Sequence, residues 1–215
     1  MAHIVKVLQP EEVRSFTAEV DNLMMNTAET IFGITLDDLR RKQVTLPVRL
    51  GGLGITSAHT LAPVACLVVA CAFNEYGKQA VDLPDTWDTE EFFPRDTLVE
   101  VCASLPATAV LPKVWLAEGR LPEEVQKEWL TQKWWMNQVH VHSRDELLAD
   151  VSGRDLVRLQ CLSQQSSGAW LQALPSKSLG LEISPAVFRV LLRFWFGLLV
   201  LEENESSKGA ATCAF

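Results

Sequence analysis

The ten residues LPVRLGGLGI, at positions 46–55, place three glycines and one proline among apolar side chains. Glycine adopts backbone angles that other residues avoid, so this stretch predicts a tight turn between regular elements. A phosphate-binding loop would need a lysine directly after the glycines, or glycines at GxGxxG spacing, and neither pattern is present. We therefore predict a compact turn in which Leu50, Leu53 and Ile55 pack on the core.

Segments with helical periodicity lie on both sides of this turn. Residues 10–33 begin with a proline and two glutamates and end at a glycine, as helices do. Apolar spacings of three and four predict one buried stripe along this helix: Val13, Phe16, Val20, Leu23, Thr27 and Ile31. Thr35 is a candidate cap for a short second helix, Ser57 for a helix over about 58–76, and Ser184 for a final helix. These segments predict a mostly α fold, an irregular multi-helix bundle with Gly- and Pro-rich connecting turns.

The composition of the chain changes after residue 77. Residues 78–95 are acidic, contain prolines and lack periodicity, which is typical of a loop. We divide the chain into a helical region over 1–77, a loop with a short helix over 78–120, a second helical region over 121–200 and a polar tail over 201–215.

Charge and cysteine usage exclude several classes of protein. The net charge of −8 argues against a phosphate-binding surface that covers the whole chain. The five cysteines contain no CxxC pair, so zinc-ribbon and thioredoxin chemistry lack support. The first residues lack a secretory signal, which predicts an intracellular protein, cytoplasmic or nuclear. The longest apolar run, residues 61–73, is shorter than the roughly 20 residues that span a bilayer, so no membrane partner is expected.

The sequence contains no recognisable active site. His140 and His142 would point about 200° apart on a helix, so they would not share a metal. The adjacent acids Asp37 and Asp38 fit the start of a helix, where the dipole favours negative charge. No GxSxG motif is present. We therefore expect no catalytic residue, no metal and no cofactor.

Two groups of side chains remain as candidate contact residues. Arg40, Arg41 and Lys42, together with Arg49, lie beside a glycine turn that a phosphate backbone could approach closely, although a solvated helix surface explains them equally well. The tryptophans of the second helical region form a candidate interaction face: Trp129, Trp134 and Trp135. Tryptophans at helical spacing anchor a core or an interface more often than they stack on bases.

Two blocks of the sequence resemble one known family. The block FGITLDDLRRKQVTLPVRLGGLGITSAHTLAPVA resembles the region after the reverse-transcriptase palm in polyproteins of non-LTR (LINE-like) retrotransposons. The block GAWLQALPSKSLGLEISPAVFRVLLRFWFGLLV is similar to a later motif of the same polyproteins, and both stand in the family's order. The palm with its paired aspartates has no counterpart here, and a Cys/His-rich segment after the second block is reduced to Cys213.

The resemblance implies a thumb-like and connector portion that lacks palm and nuclease. In this setting Arg40, Arg41, Lys42 and Arg49 would contact the backbone of an RNA–DNA hybrid or of another RNA or DNA, without reading its sequence. The first hypothesis is therefore a non-catalytic fragment or domesticated remnant of a retrotransposon reverse transcriptase. The alternative is a helical protein-interaction module with a tryptophan-rich interface, which uses either the Trp129, Trp134 and Trp135 face or the final aromatic helix and binds a partner or a second copy of itself.

Overall fold

The computed structural model describes residues 10–72, 127–173 and 175–199, and the regular structure within these ranges is helical. The seven α-helices within these ranges are α1 Pro10–Phe32, α2 Asp38–Thr45, α3 Ala58–Ala72, α4 Gln132–Ala149, α5 Gly153–Leu162, α6 Ala169–Gln172 and α7 Pro185–Trp195. Short 3-10 helices cover Val48–Leu50, Lys127–Leu130 and Lys177–Leu179. The predicted fold class is confirmed, whereas the predicted loop over 78–120 and tail over 201–215 lie outside the described residues. None of the described helices is both long enough and apolar enough to cross a bilayer.

Local signals predict some helix ends and miss others. Helix α7 begins after Ser184, as predicted, and the Ser184 hydroxyl accepts a hydrogen bond from the Val187 N–H at 3.3 Å. The prediction that Thr35 caps α2 is wrong. Asp37 is the capping residue, and its carboxylate accepts a hydrogen bond from the Arg40 N–H at 2.9 Å. Asp37 stands directly before the first helical residue, where a side-chain oxygen reaches the amides of the first turn.

The predicted apolar stripe of α1 is only partly buried. Three of its members are largely exposed, with relative exposures of 43%, 67% and 58%: Phe16, Leu23 and Ile31. The buried side of the helix keeps Val13 of that stripe and is completed by Thr17, Met25 and Ala28, which the periodicity did not select. Helix α3 presents Ala62 and Ala65 to Val13, and these small side chains let the two helices approach closely. The side of α1 that is buried is therefore determined by its contact with α3, and not by the strongest apolar periodicity in the sequence of α1.

Helices α1 and α3 are also joined by one carboxylate. Ser57 caps α3 as predicted, since its hydroxyl accepts a hydrogen bond from the Thr60 N–H at 3.0 Å. Asp21 of α1 accepts hydrogen bonds from the Ser57 hydroxyl and from the Ala58 N–H, both at 2.6 Å. The first amides of α3 thus receive an acceptor from a different helix, which fixes how the two helices meet.

The two predicted helical regions share a core. One buried cluster takes residues from both sides of the chain: Met25, Ile34, Leu36, Val44, Leu162, Leu192, Trp195 and Phe196. A second cluster joins Leu46 of the first region to Leu147 and Leu159 of the second. The glycine turn at 46–55 lies between these clusters, so both regions determine its surroundings.

Candidate nucleic-acid interface

The glycine turn is a closed backbone structure. Its six consecutive N–H groups, from Leu50 to Ile55, all donate hydrogen bonds to main-chain carbonyl oxygens of residues 44–48. A phosphate-binding loop needs backbone N–H groups that point at the ligand. All six of these N–H groups already donate to a carbonyl oxygen, so none of them is left for a phosphate. Leu53 and Ile55 pack against the larger core cluster and Leu50 against the smaller one, which confirms the predicted compact turn.

The inner side of the turn is attached to two helices by buried hydrogen bonds. The Gly51 carbonyl accepts the Gln43 side-chain amide at 2.8 Å and the Trp195 indole N–H at 3.0 Å. Gly51 itself has a φ of +89°, a left-handed conformation that favours glycine. Gln43 is completely buried, so its amide depends on these protein partners.

Arg158 of α5 connects the same elements from the other side. Its guanidinium donates to the Gln43 side-chain oxygen at 3.2 Å and to the Trp195 carbonyl at 2.6 Å. It also donates two hydrogen bonds to the Asp155 carboxylate, at 3.0 and 2.9 Å. Burial lowers the pKa of Arg158, while the hydrogen bond and negative charge of Asp155 act in the opposite direction. The two motif blocks thus pack together around one arginine whose side chain is 13% exposed.

Two of the predicted basic residues have internal partners. The Arg40 side chain is only 13% exposed, and it donates to the Phe196 carbonyl at 3.0 Å and pairs with the capping aspartate of α2. The Arg41 guanidinium donates to the Glu29 carboxylate at 2.9 Å and to the Leu36 carbonyl at 3.2 Å. A phosphate at either arginine would have to displace contacts that hold the helices together.

The other two predicted basic residues are exposed. The Lys42 ammonium lies 3.5 Å from the Asp150 carboxylate, and both side chains are more than half exposed. Arg49 donates one hydrogen bond to the Asn137 side-chain oxygen of α4. Within the described ranges this is the one hydrogen bond of the Arg49 side chain, and a guanidinium carries five N–H groups. Arg49 therefore keeps N–H groups for a ligand.

A pocket of about 640 Å³ opens between the glycine turn and the first turns of α4. Its lining, which we call the Arg49 pocket, consists of Pro47, Arg49, Thr131, Lys133, Trp134, Met136, Asn137 and His140. No aspartate or glutamate is among these residues, although the chain as a whole carries a charge of −8. In the part of the chain that the structure describes, the pocket thus combines positive charge with an aromatic ring.

The surroundings of the histidine in the pocket favour its neutral form. Burial lowers the pKa of His140 below its usual value, and the positive charge of Arg49 lowers it further. The positive charge at pH 7 therefore comes from Arg49 and Lys133. His142 points away from the pocket and lies 3.4 Å from the Glu146 carboxylate, so the predicted divergence of the two histidines is confirmed.

The predicted tryptophan face is divided by the structure. Trp135 is completely buried and belongs to the core, whereas Trp134 is half-buried and lines the Arg49 pocket. Neighbouring residues on a helix point about 100° apart, so the two rings cannot lie on one surface. Their centroids are 4.9 Å apart at an interplanar angle of 88°. The side chain of Trp129 lies outside the described residues.

The sequence alone does not indicate that Lys133, Asn137 and His140 are neighbours of Arg49. Asn137 follows Lys133 by four residues and Trp134 by three, so the sequence does indicate that Asn137 adjoins each of them on one side of α4. Nothing in that spacing indicates that this side faces the glycine turn, because the turn and the helix are far apart in the chain. The pocket is therefore a product of the tertiary fold.

No family model, curated protein or solved structure matches this chain. The resemblance to retrotransposon polyproteins accordingly depends on the two sequence blocks quoted above.

Proposed function

We propose that this chain is a non-catalytic, thumb-like portion or domesticated remnant of a retrotransposon reverse transcriptase that binds nucleic acid at the Arg49 pocket. The observation that carries the proposal is the presence of Arg49 and Lys133 beside Trp134, with no carboxylate among the described residues of the lining. Guanidinium and ammonium groups bind phosphate and release counterions, which supplies most of the affinity in nonspecific binding. An aromatic ring beside such cations is typical of surfaces that follow a nucleic-acid strand.

The proposal retains one of the four basic residues that the sequence predicts as nucleic-acid contacts. Arg49 remains, because it is exposed and keeps N–H groups for a ligand. Arg40 and Arg41 hold the C-terminal end of α7 and the Glu29 carboxylate in place. Lys133 is added to the proposed contacts because the fold places it with Arg49 in the lining of the same pocket. Both motif blocks pack around the same turn, so they belong to one structural unit.

Arg49→Ala should weaken binding of a fluorescein-labelled oligonucleotide several-fold at about 50 mM salt, where phosphate contacts contribute most. It should also reduce the slope of log K against log salt concentration by about 1, since one phosphate contact is lost. Fluorescence anisotropy at several salt concentrations measures both effects. Arg154→Ala is the matched control, because Arg154 is exposed on α5 and does not line the pocket. Absence of binding by the wild type at about 50 mM salt, or equal loss in the two variants, would contradict the proposal.

A protein-interaction module is a second proposal, favoured by the surface of the final aromatic helix and not by the tryptophan face. The end of the described chain exposes large apolar side chains: Leu179, Leu181, Ile183, Val187, Val190, Phe194 and Leu199. Apolar surface of this extent is uncommon on a monomeric protein, so it favours self-association through α7.

Val190→Asp combined with Phe194→Asp should convert a self-associating protein into a monomer, because both side chains are exposed and apolar in the described structure. Light scattering after size-exclusion chromatography measures the mass directly. Lys177→Asp serves as a control, since Lys177 is exposed in the same part of the chain but is not apolar. A wild-type protein that remains monomeric at every concentration tested would rule out this second proposal.

A further inference from the structure

We infer that the Arg49 pocket accepts one unpaired nucleotide, whose base contacts Trp134 while its phosphates contact Arg49 and Lys133. The preferred ligand is then a single strand and not a duplex. The inference rests on the proposed function and names the class of nucleic acid that the site takes.

The volume of the pocket is large enough for an inserted group. A volume of about 640 Å³ lies in the range of roughly 300–1,000 Å³ that is typical of pockets enclosing a small ligand. A duplex presents its sugar–phosphate backbone to a protein and keeps its bases stacked inside. Filling the pocket from a duplex would require a base to leave the stack, which costs a few kcal/mol. A base of a single strand enters without breaking a base pair.

The apolar part of the lining fits the face of a base. The Trp134 ring is half-buried and is held at a nearly perpendicular angle against Trp135, which is itself completely buried. Met136, which is 7% exposed, adds apolar surface from the same helix. A ring held in this way loses little freedom when a base stacks on it, so the contact is favourable for any base.

The polar part of the lining is placed to bind the rest of a nucleotide. The Asn137 side-chain oxygen accepts a hydrogen bond from Arg49, and this contact leaves the Asn137 amide group as a donor toward the ligand. The backbone N–H groups of the glycine turn already donate to carbonyl oxygens. Among the described residues of the lining, the positive charge that would bind a phosphate therefore comes from the side chains of Arg49 and Lys133.

Trp134→Ala should separate single-strand from duplex binding. The probes are a fluorescein-labelled single-stranded oligonucleotide of about 12 residues, as RNA and as DNA, and a blunt RNA–DNA hybrid of the same length. Anisotropy at about 50 mM salt should show the single strands binding at least about tenfold more tightly than the hybrid to the wild-type chain. The variant should lose about tenfold to a hundredfold for the single strands, the range expected for one lost base stack. The affinity of this variant for the hybrid, and the dependence of its binding on salt concentration, should be the same as for the wild type.

Trp134→Phe provides the control, because phenylalanine retains a ring that stacks on a base. This variant should retain most of the single-strand affinity even if Trp134→Ala folds poorly, and chemical denaturation of both variants reports their folding. Equal affinity for single strands and hybrid, with no effect of Trp134→Ala, would overturn the inference and leave the proposed function standing. A single-strand preference that persists unchanged in Trp134→Ala would overturn the assignment to this pocket. If none of the probes binds, both the inference and the proposed function are overturned.

Discussion

Gly52→Ala is expected to lower the free energy of unfolding by more than about 4 kcal/mol, or to prevent folding altogether. A Cβ atom at this position would overlap the Leu46 carbonyl oxygen and lie 2.5 Å from the Gln43 carbonyl oxygen. Both are backbone atoms, so neither can rotate away as a flexible side chain would. Movement of the turn would also break the buried hydrogen bond from the Gln43 amide to Gly51. The close packing of protein interiors transmits such a shift into the core.

Urea denaturation followed by far-ultraviolet circular dichroism measures this effect. Gly54→Ala is the matched control within the same turn, because a Cβ atom at Gly54 would meet no atom within 4 Å. Gly54 has a φ of +75°, so alanine there should cost only about 1–2 kcal/mol of backbone strain. If the two variants were equally stable, the close approach of backbone at Gly52 would be refuted.

Arg158→Ala is expected to lower the free energy of unfolding by about 2–4 kcal/mol. The substitution removes hydrogen bonds to the Gln43 side-chain oxygen and to the Trp195 carbonyl. Each buried polar group left without a partner costs about 1–3 kcal/mol. Gln43 is completely buried and Trp195 is 3% exposed, so water cannot readily replace the lost donors.

Arg154→Ala serves as the control for this effect, since Arg154 is exposed on the same helix and should change stability by less than about 0.5 kcal/mol. The free energy of unfolding of Arg158→Lys should lie between those of Arg158→Ala and Arg154→Ala. An ammonium group keeps the positive charge but cannot reproduce the planar set of donors. Equal stability of Arg158→Ala and Arg154→Ala in urea denaturation would show that the buried contacts contribute nothing.

Much of the secondary structure was predictable because its signals are local. Ser57 and Ser184 cap the helices that the sequence analysis assigned to them. Asp37 was missed as a cap because Thr35, two residues earlier, carries an equally suitable oxygen. The apolar stripe of α1 was misplaced for a different reason. Leu23 satisfies the helical period, yet the helix docks on α3 through smaller side chains.

Less of the candidate site could be predicted. Arg49 was found because it lies beside an unusual glycine turn, but Arg40 and Arg41 looked equally suitable. What distinguishes them is the position of carbonyl and carboxylate acceptors that come from distant parts of the chain. Trp134 and Trp135 likewise could not be told apart from the sequence as a buried and an accessible ring. Helical geometry predicts that their rings diverge, but only the docking of α4 decides which ring is buried.

The sequence by itself determined the helical class, the position of the glycine turn and the lack of a phosphate-loop motif. These properties depend on residue types and short spacings, which act on the backbone within a few residues. Only the tertiary structure decided which polar groups serve the fold and which remain for a ligand. The Gly51 carbonyl takes the indole N–H of Trp195, while Arg49 keeps N–H groups beside Lys133 and Trp134. The physical reason is that hydrogen bonds between distant segments depend on how the helices pack, and local spacing carries no information on that packing.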